Sequence, residues 1–127
     1  MHSAQRHREA ERLFAEGQRQ ARRRDWEAAE RAFQEAVRLF PSDARFALHL
    51  ALLNAETGRV GKGLEILRRH GTRPVPLLFQ ALLAVEANRF AEAETALRQA
   101  EAQAPKNVLL PTLRALLALR RDGLEEG

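Results

Sequence analysis

The side chains of this 127-residue chain that could do chemistry are four histidines, one glycine–lysine turn, 17 acidic residues and a run of arginines. His2 and His7 fall in a charged opening stretch and are expected to be solvated. His49 lies on a predicted helix, and His70 at the end of another. There is no cysteine, which excludes disulfides, thiolate ligands and thiol nucleophiles. No His-x3-His pair or convergent Asp/Glu cluster accompanies the histidines, so neither a metal site nor a cofactor is expected. The Gly58–Gly63 stretch GRVGKG contains Gly-Lys but lacks the four-residue spacer and the Ser/Thr of a phosphate loop. It also follows a helix rather than a strand, so it reads as a turn. The carboxylates sit mostly at ion-pair spacing on helix surfaces, as in Glu27 with Arg31 and Glu94 with Arg98. Catalysis is not expected.

The pI of about 10.8 overstates the basicity. With no Cys, no Tyr and only two Lys, almost nothing titrates between neutrality and the Arg range, so a net charge of +4 carries the pI high. Placement matters more. Residues 1–24 hold seven arginines against three glutamates, whereas residues 25–127 are balanced at 14 of each sign. The excess gathers at Arg19, Arg22, Arg23 and Arg24. That run lacks interleaved aromatics and any nucleic-acid motif. It reads as solvated arginines partly paired with Glu16 and Glu27, with weak nucleic-acid contact kept as an alternative.

Hydrophobic residues at 45% and charged residues at 30% describe a folded soluble chain of one-domain size. MHSAQRHREAE has no apolar segment of the kind a signal peptide needs. The longest apolar candidate, VPLLFQALLAV, is broken by Gln80 and falls short of the roughly 18 residues of a membrane span. A cytoplasmic location is the expectation. An excess of 19 Arg over two Lys, together with high Ala and Leu, hints at a GC-rich bacterial genome.

Seven helices are predicted and no strands. The first covers residues 3–23, frayed before about Glu9. The second, Trp26 to Phe40, is stopped by Pro41, and Ser42-Asp43 cap the next. The third runs from Ala44 to Thr57 and closes at Gly58. The fourth, Val60 to His70, ends at Gly71. The fifth starts at Pro74 or Pro76 and runs to Ala87. The sixth, Phe90 to Ala104, is stopped by Pro105. The seventh, Leu109 to Arg121, stops before Asp122-Gly123.

Two of these helices share a spacing, Ala29-x3-Phe33-x2-Ala36-x4-Pro41 and Ala93-x3-Leu97-x2-Ala100-x4-Pro105, set 64 residues apart. The odd-numbered helices repeat as well, in Leu13/Gly17, Ala47/Ala51, Leu77/Ala81 and Pro111/Ala115. Their offsets are 34, 30 and 34 residues. Helix pairs recurring at about 34 residues resemble the tetratricopeptide repeat, whose pattern Leu13, Gly17, Ala29, Phe33, Ala36 and Pro41 match in part. The opening Trp and the Tyr of that pattern are absent. The resemblance implies an all-α, right-handed α-solenoid forming a single domain over 1–127. Its units would span about 10–43, 44–73 and 74–107, followed by a closing helix at about 108–121. The second unit is divergent, with Gly63 and Leu67 standing for the Ala and Phe. Small residues at Gly17, Ala29, Ala51, Gly63, Ala81 and Ala93 suit close helix crossings.

By the same resemblance, the first helices of successive units line a groove for a protein or peptide. Here they would contribute Glu11, Phe14, Gln18 and Arg22, then Arg45, Leu48, Leu52 and Glu56. Val75, Leu78, Leu82 and Glu86 follow, then Thr112 and Leu116. The family's carboxylate clamp for chaperone tails is missing, because its positions hold Phe14, Gln18, His49, Val75 and Phe79. An apolar peptide or amphipathic helix is the expected ligand. The alternative is a homo-oligomer using the groove and the last helix, whose leucines cover more than half its circumference. A capping helix would instead show a polar outer face. Asp122-Gly123 echoes the earlier RRRD turn and suggests the start of a further unit.

Overall fold

The computed structural model describes residues 2–70 and 73–126. Among them the chain is all-α, with seven helices and no strand: α1 Ser3–Arg22, α2 Trp26–Leu39, α3 Ala44–Glu56, α4 Val60–His70, α5 Pro74–Glu86, α6 Phe90–Gln103 and α7 Leu109–Glu126. Contacts divide it into two compact units, Met1–Ile66 and Leu67–Gly127, with the boundary inside α4. No helix among the described residues is long and apolar enough to cross a membrane.

The same turn recurs three times, and its hydrogen bonds explain the repeat. Arg24, Gly58 and Asn88 adopt φ of 62°, 86° and 60° after α1, α3 and α5. In each case the next N–H reaches back five residues, Asp25 to the Gln20 carbonyl (2.9 Å), Arg59 to Asn54 (2.7 Å) and Arg89 to Ala84 (2.8 Å). This left-handed close satisfies carbonyls that a helix end leaves free. Only Gly58 announces it in sequence. Asn tolerates the conformation, and Arg24 bears its strain.

The link after α2 recurs after α6. Phe40 and Ala104 donate their N–H to Ala36 and Ala100, at 3.0 and 2.8 Å, just before Pro41 and Pro105. Asp43 then accepts the Arg45 N–H at 3.1 Å, as Asn107 accepts that of Leu109 at 2.9 Å. These side chains cap α3 and α7.

In the first unit, Ala10, Phe14, Ala29, Phe33, Ala36, Phe46, Leu50 and Leu53 form one apolar cluster. Gly17 is small because of Phe33: a Cβ there would lie 2.5 Å from Phe33 Cε1. The ring, rather than the facing backbone, fills the crossing. Asn54 is wholly buried in α3. Its Nδ2 donates to the Leu50 carbonyl at 2.9 Å, while its Oδ1 has no partner. In the second unit, Ala81 of α5 and Ala93, Leu97 and Ala100 of α6 are all buried.

Three expectations are corrected. Helix α1 is formed from Ser3, not frayed to Glu9, because His7 anchors its first turns. Helix α7 continues through Gly123 to Glu126, so RRDG is no turn. One Gly without a following Pro weakens a helix by only about 1 kcal/mol. The pairs Glu27–Arg31 and Glu94–Arg98 do not form, whereas Glu9–Arg12, Glu16–Arg19 and Glu35–Arg38 do. Exposed pairs contribute only tenths of a kcal/mol, so spacing alone does not decide them. Gly71, expected to close α4, lies outside the described residues.

Candidate functional site

The most connected polar group of the first unit is Asp43. It caps α3 and receives two bonds from the Arg45 guanidinium, from Nε to Oδ1 at 3.0 Å and from Nη2 to Oδ2 at 2.6 Å. His7 of α1 meets Oδ2 at 3.1 Å and Glu11 Oε1 at 3.5 Å. The Glu11 carboxylate also accepts from Arg45, joining α1 to α3. Below this network the His7 ring stacks on Phe40, with centroids 4.2 Å apart and planes 21° apart. Arg45 lies over the rings of Phe14 and Phe46, at 5.6 and 5.4 Å.

The charges reinforce one another. Hydrogen bonds from Arg45 above all, with His7 adding to them against partial burial, hold the Asp43 carboxyl at about 2. Bonding to Asp43 first, and to Glu11 second, pushes the Arg45 guanidinium above its ordinary value. His7, Glu11 and Asp43 bring their ligand atoms within 4.8 Å of one another, the one such group among the described residues. Arg45 already occupies both carboxylates, so an ion would have to displace it. His7 is thus half-buried and engaged rather than freely solvated.

The GRVGKG stretch is a turn followed by the start of α4. Its Lys62 donates to Glu30 at 2.9 Å, beside Arg59 at 2.8 Å. Burial opposes the charge on Glu30, but the Lys62 and Arg59 bonds outweigh it and leave its pKa lowered. A lysine so held serves packing of α4 on α2.

Of the expected groove residues, Phe14 is 8% exposed and Leu78 is 4% exposed. Phe14 belongs to the first unit's core, packed on Phe33 and Phe46 at 5.9 and 5.1 Å, with the His49 ring edge-on at 4.7 Å. Both side chains therefore support a surface rather than form one. Gln18, Leu48 and Leu52 are half-buried in the first unit, as are Leu82 and Leu116 in the second. Arg22 is exposed. Arg45 is exposed too, but committed to Glu11 and Asp43. Sequence reasoning missed the His7–Asp43 contact, which spans 36 residues. Its traces were the i,i+4 pair His7/Glu11 and the cap at Asp43.

No curated protein sequence matches the chain. Solved structures do. The tetratricopeptide domain of Arabidopsis OM64 superposes with a TM-score of 0.74 at 16% identity, covering 89% of this chain and 97% of that one. The Yersinia enterocolitica type III secretion chaperone SycD, in complex with a peptide of the translocator YopD, gives 0.73 at 20% identity over 92% and 94%. PcrH in complex with the chaperone-binding region of PopD gives 0.64 at 25% identity over 91% and 88%. A tetratricopeptide repeat family model matches residues 14–74 and 79–126. With its recurrent left-handed turns, its Gly17–Phe33 contact and this match over most of its length, the chain belongs to the tetratricopeptide repeat family.

Proposed function

We propose that the chain is a non-catalytic protein-interaction module, with residues 1–127 acting as one domain. Its ligand is an apolar peptide or an amphipathic helix, held by side chains on the first helices of its repeats. The observation that carries this reading is the set of half-buried leucines on three of those helices, Leu48 and Leu52 on α3, Leu82 on α5 and Leu116 on α7. Leu48 and Leu52 stand one turn apart, the spacing that meets the ridge of a bound helix. The solved relatives support a peptide ligand, since SycD and PcrH each hold a segment of another protein. Gln18 and Arg22 supply a polar rim on α1, while Phe14 and Leu78 brace the apolar side chains from beneath.

The test compares partner capture from host extract by the unaltered chain and by Leu52→Glu and Leu82→Glu variants. Proteins lost from both variants, with helicity unchanged by circular dichroism, support the reading. Capture that survives both substitutions places the site elsewhere.

One further observation favours a second reading, a homo-oligomer through α7. Val108, just before α7, and Leu109 and Leu119 on it are 83%, 51% and 72% exposed. Light scattering that gives only the monomer mass at every concentration removes it.

A further inference from the structure

Two arginines of α1 and one of α3 are neutralised in place. Glu9 holds Arg12, Glu16 holds Arg19, and Glu11 is taken by Arg45. The turn after α1 is different. Arg22, Arg23 and Arg24 are all exposed, and none of them has an ion-pair partner among the described residues. The adjacent carboxylate does not neutralise them, because Asp25 Oδ1 accepts the Ala28 N–H at 3.2 Å as the cap of α2. Glu16, the nearest acid of α1, accepts from Arg19 and Gln20. Arg24 sits in the left-handed region at φ 62°, a conformation that sets its side chain outside the regular course of either helix.

Next in the chain is Trp26, the only tryptophan. It is 36% exposed, and no ring or guanidinium stacks on it among the described residues. The arginine run contains no aromatic within it, which is why the sequence alone argues against nucleic acid. In the structure a partly exposed indole nonetheless stands at the end of that run.

We propose that this turn is a contact site for single-stranded nucleic acid, with Arg22, Arg23 and Arg24 on phosphates and Trp26 stacked against a base. The two features call for one ligand. A single strand offers an anionic phosphate and a π face at every nucleotide, and both guanidinium and indole use them. An acidic peptide would satisfy the arginines and leave the indole without a partner. A duplex would offer phosphates but keep its base faces stacked inside. The site, on the turn between α1 and α2, shares only Arg22 with the rim of the proposed peptide surface and includes none of the leucines on which that reading rests, so either reading can fail without the other.

The experiment measures fluorescence anisotropy of a labelled oligothymidylate of about 15 nucleotides, starting at about 20 mM salt, where phosphate contacts are least screened. Emission of Trp26 is followed in parallel. Three phosphate contacts predict a slope of log K against log salt near −2, from about 0.7 per contact on a single strand. Replacing Arg22, Arg23 and Arg24 together by Gln should abolish binding, with unchanged helicity. Trp26→Ala should weaken it about 5- to 100-fold at the same salt slope. In the unaltered chain, Trp26 emission should be quenched on binding, which keeps the indole's role testable should that variant fold poorly. Absence of binding at low salt overturns the proposal, as does saturation that leaves Trp26 emission unchanged. Equal affinity for a duplex of the same length would overturn it as well. Equal affinity for polyglutamate would assign the turn to an acidic protein instead.

Discussion

Asp43→Asn isolates one charge in the polar network that joins α1 to α3. Asparagine caps a helix about as well as aspartate, so the Arg45 N–H keeps its acceptor and the side chain its volume. What disappears is the negative charge facing Arg45 and His7. The carboxyl stands at about 2 in the folded chain against an ordinary value of 3.8. At about 1.4 kcal/mol per unit, the difference amounts to roughly 2.5 kcal/mol before screening. The Asp43 side chain is 14% exposed but its partner Arg45 is 51% exposed, and water and salt reach the pair. A loss of about 1–2 kcal/mol at neutral pH is the expectation. Because the folded value is depressed, the stabilisation is present in full above the unfolded value near 4. It is lost as pH falls from there through about 2, below which the carboxyl is neutral in both the folded and the unfolded chain.

Urea denaturation followed by circular dichroism, at pH 7, 4 and 2 for both proteins, reads this directly. Glu9, Glu16, Glu30 and Glu35 also have lowered pKa values, but they are common to both proteins and cancel in the difference. The gap between variant and parent should be widest at pH 7 and close by pH 2. An Asp43→Ala variant should add a further loss of about 1 kcal/mol, independent of pH, from the missing cap. A gap of constant size across the series, or none at pH 7, would refute the role given to the Asp43 charge.

Three further perturbations test the packing. Gly17→Ala gains about 1 kcal/mol of helix propensity but drives a methyl to 2.5 Å from a ring that is 2% exposed. Overpacking of about 1–3 kcal/mol should win, lowering the melting temperature, and Phe33→Leu in the same chain should relieve part of the loss. Arg24→Gly should stabilise by about 1 kcal/mol, because glycine adopts a positive φ without the clash that Arg24 carries; an unchanged urea midpoint would contradict the strain. Asn54→Leu removes a buried carbonyl oxygen that has no partner among the described residues, along with the bond to Leu50, while keeping the number of heavy atoms. A gain of about 1 kcal/mol is expected, and a loss would mean that the amide has an unseen role in placing α3.

The elements were legible because they rest on local rules. Pro41 and Pro105 stop α2 and α6, Gly58 closes α3, and the alternation of small and bulky residues between Ala29 and Ala36 returns at Ala93. Boundaries fell within a residue or two except at the ends of α1 and α7, where contacts and context overrode the local signal. The candidate site was less legible. Phe14 and Leu52 are both apolar residues on the inner side of a first helix, and nothing in their spacing separates them. Phe14 is core because Phe33, Phe46 and His49 converge on it. Leu52 keeps part of its surface because no such set covers it.

The sequence by itself determined the helices, their pairing period and the family, since propensity, capping and repeat spacing act over a few residues and survive being read one segment at a time. Tertiary structure alone decided which charges are compensated and which apolar side chains remain available. His7 joins Asp43 across 36 positions, and Arg45 is shared between Glu11 and Asp43. Arg22, Arg23 and Arg24 look no different from these in sequence, yet they are left to solvent. Burial and ion pairing depend on distance in space, which falls off over a few ångströms and bears no fixed relation to distance along the chain.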